Sequence, residues 1–510
     1  MPKALKIGLV FLLIVAGVVL RFLCISPFDI PNGDTAVVGL LAIDILEGRD
    51  LPIYPPLAHY GGTLVSFLGA LFFKLFGVSV QVFLMVGMLY SFVWGLFAYL
   101  LARRVVGMPA ALFAFLFLVL PPHEVLFCSL WTAGVYAETF IFVSLLLWIL
   151  CRWNDAAAPP LSTSAALGFL SGVGLWTTPW TFPILLTIGT VFFMRRECLS
   201  RKGVVLFLVA FLAGYLPSII YEFQHPGAQL FRFGGRILAL DRSALSSSDL
   251  LGTVVRKALW RLSTVPASLV RVPVLSVSLV GGLNAAVFAA GLGAVAYGGR
   301  VREALRDKKL SSAAILLVFV VWYVIFYATL VGAKEARYML PLMSLYPLFT
   351  GALGALLYKR SRALCLVVLA LLLVNNGLDL RRFLSDRRPH GYKALTSWLQ
   401  AEGVVHGYSD FETAYPVVFG SLQKITMTPT LFHSTFSDRW PQQTAEVRKH
   451  DDAVFVVDTL QRPQAAARIE RSLGELGVSY KKAAVEEFFV YKDLSRRVLP
   501  EELDVSGEHP

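Results

Sequence analysis

The sequence predicts a polytopic α-helical membrane protein, and its composition, its apolar runs and its basic loops support this fold class. Of its 510 residues, 56% are hydrophobic and 16% are charged, and the mean hydropathy is +0.66. Soluble proteins carry about 45–50% apolar and about 25% charged residues. This composition excludes a soluble enzyme, a disordered chain and a fibrous protein. The net charge of +12 does not indicate nucleic acid as a partner, because cytoplasmic loops of membrane proteins collect Lys and Arg.

Eleven apolar runs are interpreted as membrane spans. The first run follows Lys3 and Lys6 and has no small-residue cleavage site after it, so we interpret it as an uncleaved span. With the N-terminus in the cytoplasm, alternation places every strongly basic short loop, such as that of Arg103 and Arg104, on the cytoplasmic side. The runs are 7–20, 80–101, 110–120, 140–150, 165–176, 182–193, 204–220, 274–297, 313–330, 338–357 and 363–374.

The remaining apolar run, 64–76, is short and contains Lys74. Counting it as a span would move the basic loops outside, so we interpret it as an interfacial or re-entrant helix within the first outer loop, 24–79. The membrane domain is therefore expected to cover 1–380.

After the last span the composition becomes that of a soluble protein. Residues 381–500 predict a small external α/β domain, and 501–510 predict a disordered acidic tail. The expected strands are 404–408, 424–428, 453–457 and 486–491, and the expected helices are 392–400, 411–419 and 462–476. The five cysteines show no C-x-x-C spacing, so the sequence supports neither a disulfide framework nor a zinc site.

The first two outer loops carry ionisable residues beside the membrane. Asp34 follows the first span in an Asn-Gly-Asp turn, where a carboxylate is either functional or the cap of a helix that begins at Thr35. His59 and Tyr60 follow two prolines and either line a cleft or form a structural turn. Glu138 lies at the start of a later span. It is either functional or placed there because the dipole of a helix favours a negative charge at its first turn.

Two further groups could take part in the same chemistry. His123 and Glu124 are adjacent and could bind a metal, although neighbouring residues on a helix point apart. Lys334 and Arg337 lie in a short outer loop, where positive charge is not favoured. Arg grips phosphate with two parallel hydrogen bonds, and the alternative is an Arg that reaches from a span to the interface.

Carboxylates on two outer loops and a cationic pair on a third suit a substrate linked to a lipid phosphate. Basic side chains or a divalent cation would stabilise the leaving phosphate, and one carboxylate would accept a proton from an acceptor hydroxyl. Apolar grooves between the spans would hold the lipid tail.

At these residues the chain resembles the GT-C superfamily of membrane glycosyltransferases, which includes protein O-mannosyltransferases, aminoarabinose transferases and oligosaccharyltransferase catalytic subunits. The resemblance covers roughly residues 1–380 and rests on the order of four segments: PNGDTA, LEGRDLPIYPP with KLFGVS, PPHEV…GVYAETF, and EARYMLPL. It implies that Asp34 is the catalytic base or a metal ligand, that Glu138 binds metal and that Arg337 contacts the donor phosphate. The chain has Gly-Asp where protein mannosyltransferases carry Asp-Glu, and one second-loop acid where oligosaccharyltransferases carry a cluster.

The expected function is an inverting glycosyltransferase of the bacterial inner membrane that uses a polyprenyl-phosphate sugar donor. The acceptor would be a glycan, a lipid or a protein on the periplasmic side. The expected substrate contacts are Arg337, Lys334, His59 and Tyr60, and a divalent cation (Mg²⁺ or Mn²⁺) would be held by Asp34, Glu138 and Glu124. The alternatives are a transporter or flippase of an anionic lipid and a non-catalytic scaffold. The span interiors carry almost no ionisable residues, and no internal repeat is found, which argues against transport.

Overall fold

The computed structural model describes ten segments of the chain, and these fold into two compact units. The first unit comprises Met1–Leu23, His59–Gly62 and Gly87–Asp386, and the second comprises Cys24–Ala58, Thr63–Val86 and Arg387–Pro510. The second unit therefore includes most of the first outer loop, which the sequence prediction assigned to the domain 1–380. The described segments are 3–25, 32–58, 60–156, 159–196, 200–228, 279–298, 311–327, 339–386, 391–432 and 438–505.

All the regular elements described in the first unit are helices. Its helices, numbered along the whole chain, are α1 (Lys3–Ile25), α4 (Val80–Val105), α5 (Met108–Val119), α6 (His123–Leu130), α7 (Tyr136–Asp155), α8 (Leu161–Thr177), α9 (Phe182–Met194), α10 (Arg201–Gln224), α11 (Leu279–Gly298), α12 (Ser312–Phe326), α13 (Leu340–Met343), α14 (Tyr346–Arg360) and α15 (Arg362–Asp386). The ends of α1 and α4 extend into the second unit.

Several of these helices are suited to a bilayer. Among the described residues, α4, α7, α10, the segment Leu340–Arg360 and α15 are long and apolar enough to cross a membrane. A sixth span results if α5 and α6, which meet at an angle of 81°, form one broken span. The helices α3 (Leu64–Phe76), α9 and α12 are apolar but shorter. The expected count of eleven spans stays a prediction.

Helices α8 and α10 pack with their backbones in direct contact because glycines line the interface. A Cβ atom on Gly168 would lie 2.2 Å from the carbonyl oxygen of Phe207, and one on Gly172 would lie 2.2 Å from that of Phe211. Gly214 makes the reciprocal approach from α10 to the backbone of α8. Small residues four positions apart allow this close approach, which is a common basis of helix association in membranes.

The second unit is built on a mixed five-stranded sheet with the order β2-β1-β3-β5-β4. Strand β1 pairs in parallel with β2 and β3, and β5 pairs antiparallel with β3 and β4. The strands are β1 (His406–Tyr408), β2 (Thr426–Thr428), β3 (Val454–Asp458), β4 (Lys481–Val485) and β5 (Phe488–Lys492). The helices are α2 (Gly33–Leu46), α3, α16 (Tyr392–Ala401), α17 (Phe411–Gly420), α18 (Pro441–Val447) and α19 (Ala465–Glu475).

The core of this sheet lies around its central strand. Every residue of β3 is buried, as expected for a central strand covered on both faces. Phe455 and Val457 of β3 pack with Ile469 and Leu473 from one side of α19. Each of these four side chains is inaccessible to solvent, so this contact anchors the sheet to α19.

Candidate active site

Asp34 lies in the first turn of α2. The helix begins at Gly33, and its N-cap is Asn32, whose side-chain oxygen accepts a hydrogen bond from the backbone N–H of Thr35 at 3.2 Å. The alternative that Asp34 itself caps the helix is therefore wrong, because the residue two positions earlier performs that role. Asp34 is half-buried, and the dipole of α2 favours a negative charge at its position.

The helix that carries Asp34 lies directly against α17. Cβ atoms on Gly33 and Gly39 would lie 2.6 Å from the ring of Phe411 and 2.5 Å from the ring of Phe419, so both positions require glycine. Glu412 of α17 accepts a hydrogen bond from the backbone N–H of Gly33 through Oε2 at 2.8 Å. A carboxylate far along the chain therefore satisfies one of the free N–H groups at the start of α2.

Glu412 is the second acidic group in the environment of Asp34. Burial raises the pKa of Glu412 to about 7, and the charges of Asp34 and Asp410 also raise it, whereas the Gly33 N–H lowers it. Glu412 could not be predicted from the sequence, because its contact with Gly33 joins residues 379 positions apart. In the local sequence Glu412 follows Asp410, the N-cap of α17, and an acid in the first turn of a helix indicates only that a helix begins there.

We expect Glu412→Gln to change how the stability of the chain depends on pH. The ordinary pKa of glutamate is 4.5, and the pKa of Glu412 in the folded chain is about 7. As the pH rises, the unfolded chain therefore loses this proton at a lower pH than the folded chain does. Wild-type stability therefore falls by about 3 kcal/mol as the pH rises from 4.5 to above 7, and glutamine removes that loss. Thermal unfolding of the purified chain between pH 4 and 8 measures the difference.

In that experiment the unfolding temperature of Glu412→Gln should rise relative to wild type as the pH increases. Glu475→Gln, which changes an exposed glutamate in α19, is the control and should run parallel to wild type. A constant difference between Glu412→Gln and wild type across the pH range would contradict the assignment.

The other end of α2 is also tied to the segment after α17. The guanidinium of Arg49 lies 2.8 Å from Oδ1 of Asp44 and donates to Oε1 of Gln423 at 2.6 Å. Burial raises the pKa of Asp44, and the charge of Arg49 opposes that rise. In addition, Arg439 donates to the carbonyl oxygen of Pro56 at 3.1 Å. The helix that carries Asp34 is thus anchored at both ends within the second unit.

Glu138 occupies the first turn of α7 in the first unit. It is 1% exposed, and its carboxylate lies beside the hydroxyl of Tyr90, a buried residue of α4. The preceding Gly134 and Val135 both have left-handed backbone conformations, which turn the chain sharply into α7. Glu138 belongs to the first unit and Asp34 to the second, so their expected convergence on one pocket stays a prediction.

His123 lies between two carboxylates at the start of α6. Its Nδ1 is 2.7 Å from Oδ2 of Asp379, which also accepts the backbone N–H of His123 at 3.1 Å. Its Nε2 is 3.3 Å from Oε1 of Glu124. The two adjacent side chains therefore meet, contrary to the expectation that they point apart. Asp379 of α15 completes this ion-pair cluster and was not foreseen, and a metal-binding role for Glu124 stays a prediction.

Tyr60 is 46% exposed in the first unit, and the chain turns directly after it. Gly61 has a left-handed conformation, and the N–H of Gly62 donates to the carbonyl oxygens of Trp176 and Thr177 at 3.1 and 3.2 Å. The predicted substrate contacts His59, Lys334 and Arg337 lie outside the described residues. The roles of all four predicted contacts stay predictions.

An apolar cavity of about 410 Å³ lies between α1, α4 and α5. At its edge the buried guanidinium of Arg21 donates through Nε to Oγ of Ser91 at 2.8 Å and through Nη2 to the carbonyl oxygen of Leu118 at 3.0 Å. The rest of the lining is largely aliphatic and aromatic, and includes Leu13, Phe92, Leu96, Leu112, Phe115 and Val119.

The fold of the chain is similar to that of solved structures of two other proteins, which agrees with the helical membrane fold predicted from the sequence. The chain is similar in structure to ArnT from Cupriavidus metallidurans bound to undecaprenyl phosphate, with a TM-score of 0.65 and 14% identity over 98% of this chain and 99% of that chain. It is also similar to the apo oligosaccharyltransferase of Archaeoglobus fulgidus, with a TM-score of 0.57 and 14% identity over 95% of this chain and 74% of that chain.

A third similar structure is AglB from Archaeoglobus fulgidus in complex with an inhibitory peptide and a dolichol-phosphate. Its TM-score is 0.53 and its identity 11%, over 95% of this chain and 74% of that chain. Neither the comparison with family models nor the comparison with curated proteins gives a match. The structural likeness therefore establishes the fold of this chain and not its activity.

Proposed function

We propose that this protein is an inverting glycosyltransferase that moves a sugar from a polyprenyl-phosphate donor to an acceptor at the outer face of the membrane. The observation that carries this proposal is the half-buried Asp34 at the start of α2, held by α17, in a fold shared with lipid-dependent transferases. The structures of ArnT and AglB contain undecaprenyl phosphate and dolichol-phosphate respectively. A donor of this class supplies both the sugar and a good leaving group.

In this mechanism Asp34 is the general base. Its carboxylate accepts the proton of the acceptor hydroxyl while the hydroxyl oxygen attacks the anomeric carbon of the donor sugar. The bond from that carbon to the phosphate oxygen breaks on the opposite face, so the configuration inverts and polyprenyl phosphate leaves. A phosphate needs no general acid to depart. Arg337 and Lys334 would bind this phosphate, since guanidinium and ammonium groups pair well with phosphate oxygens.

A divalent cation fits the residues proposed to hold it. Carboxylate oxygens are the ligands that Mg²⁺ and Mn²⁺ prefer, and Glu138 places a buried carboxylate at the start of α7. Asp34, Glu138 and Glu124 would supply the oxygens. The ion, when bound, would neutralise charge on the donor phosphate.

The cavity between α1, α4 and α5 suits part of a polyprenyl tail. Its lining is almost entirely apolar, and an isoprenoid chain gains free energy by leaving water for such a surface. The buried Arg21 at its edge is already bound to protein oxygens, so we assign the cavity to the tail and not to the phosphate.

The experiment that tests the proposal uses the full chain in proteoliposomes with undecaprenyl phosphate that carries a radiolabelled sugar and with cell-envelope glycan as acceptor. A panel of hexosyl and pentosyl donors covers the unknown sugar. We expect label to move to the acceptor as undecaprenyl phosphate is released, and NMR of the product to show an inverted anomeric centre. Movement of intact labelled lipid between leaflets without covalent transfer would overturn the proposal in favour of a flippase.

A further inference from the structure

Two histidines and an aspartate meet at the end of the sheet where β1 and β3 begin. His406 is the first residue of β1, and His450 and Asp452 precede β3. Because β1 and β3 are parallel neighbours, with Gly407 paired to Val454, the segments that enter them lie side by side. The rings of His406 and His450 are stacked, with centroids 3.5 Å apart and planes 14° from parallel.

The polar atoms of this cluster lie close enough together for small side-chain rotations to bring them around one ion. The Nδ1 atoms of His406 and His450 each lie 3.9 Å from Oδ1 of Asp452, which is too long for a hydrogen bond. The Nδ1 of His406 is buried and has no hydrogen-bond partner among the described residues. The three ligand atoms lie within 4.8 Å of one another. Ligand atoms that each stand about 2.0–2.2 Å from one Zn²⁺ lie less than about 4.4 Å apart. Rotation of the His450 and Asp452 side chains, both of which reach solvent, would bring the three atoms to this separation.

A fourth residue orients one of the rings for this role. Oε1 of Glu446 lies 3.6 Å from Nε2 of His450, on the side of the ring that faces away from Asp452. The carboxylate favours a proton on Nε2 and so leaves the Nδ1 lone pair directed toward Asp452. A carboxylate behind a metal-ligating imidazole is a recurrent arrangement in metal sites.

We propose that Nδ1 of His406, Nδ1 of His450 and the carboxylate of Asp452 bind a first-row transition-metal ion of the Zn²⁺ type. Imidazole nitrogens with one carboxylate suit such ions, whereas Mg²⁺ and Ca²⁺ prefer oxygen ligands alone. Water would complete the coordination, since the side chain of Asp452 is 76% exposed. The ion would join the start of β1 to the segment before β3, and its binding would stabilise the folded second unit.

The test is a titration of Zn²⁺ into the purified full chain without a polyhistidine tag, followed by competition with a chromophoric chelator. We expect one Zn²⁺ per chain and a higher unfolding temperature in its presence. His450→Gln and Asp452→Asn should each weaken binding at least tenfold, and Glu446→Gln should weaken it about 10-fold to 100-fold. Both ligand variants change surface residues, so their unfolding temperatures without metal should match wild type.

Asp451→Asn is the matched control, because Asp451 is the exposed neighbour of Asp452 and lies 3.9 Å from Arg497. It should bind Zn²⁺ as wild type does, and visible absorption of bound Co²⁺ should be kept in this control and lost in His450→Gln. The site would be refuted by a wild-type chain that takes up no Zn²⁺ at micromolar concentrations. It would equally be refuted by unchanged affinity in both ligand variants, which would place any bound ion elsewhere.

Discussion

Replacing Asp34 with asparagine is expected to lower the rate of sugar transfer by about 10²-fold to 10⁴-fold, the usual contribution of a general base. Asparagine has the same size and can still accept a hydrogen bond, but it cannot take the proton of the acceptor hydroxyl. Folding should be unaffected, because Asn32 and not Asp34 caps α2. Initial rates with a labelled undecaprenyl-phosphate sugar measure the loss, and the affinity for the donor should change little.

Asp50→Asn is the matched control for this substitution. Asp50 is an exposed acid in the same segment, 24–79, and among the described contacts its carboxylate accepts a hydrogen bond only from the backbone N–H of the next residue, Leu51. It should retain wild-type turnover, and both variants should be recovered as folded protein. Near-normal transfer by Asp34→Asn would remove this residue from the mechanism while leaving the fold assignment intact.

The largest effect on stability is expected from Gly172→Val. Any Cβ at this position would lie 2.2 Å from the carbonyl oxygen of Phe211, so the backbones of α8 and α10 must move apart. A flexible side chain cannot relieve this clash, because the obstructing atom belongs to a helix backbone. We expect a loss of about 3 kcal/mol or more, at the upper end of overpacking effects. Thermal unfolding in detergent and the yield of folded protein measure it.

Gly189→Ala provides the comparison for Gly172→Val. Gly189 lies within α9, and a Cβ there would meet no atom of the described part of the chain within 4 Å. Alanine should therefore be neutral or slightly stabilising, as expected from helix propensity. If Gly172→Val unfolded at the same temperature as Gly189→Ala, the close backbone contact between α8 and α10 would be disproved.

Periodicity predicted much of the secondary structure after residue 380. The helix expected at 411–419 is found at Phe411–Gly420, and the strand expected at 453–457 is found at Val454–Asp458. Strand β4 was missed because its sequence, KKAAV, lies at the edge of the sheet and is half exposed, with lysines in place of alternating apolar residues. The seven-residue α18 is too short to show a helical period.

The candidate site was predictable only where its signals are local. Asp34 was identified because an acid that closely follows a predicted membrane span stands out in the sequence. Its relation to Glu412 could not be predicted, since nothing in either segment specifies a partner 379 residues away. The cluster of His406, His450 and Asp452 was missed for the same reason, because strand pairing and not sequence spacing brings its members together.

The seating of α2 against α17 has a consequence for biosynthesis. During translation α2 leaves the ribosome long before Phe411 and Phe419, the two rings that cover its glycine face, have been made. The segment that carries Asp34 therefore waits, incompletely packed, until nearly the whole polypeptide has been synthesised. We expect a nascent chain arrested before residue 411 to lack the fully packed α2, so that any activity that depends on Asp34 begins only once translation is nearly complete.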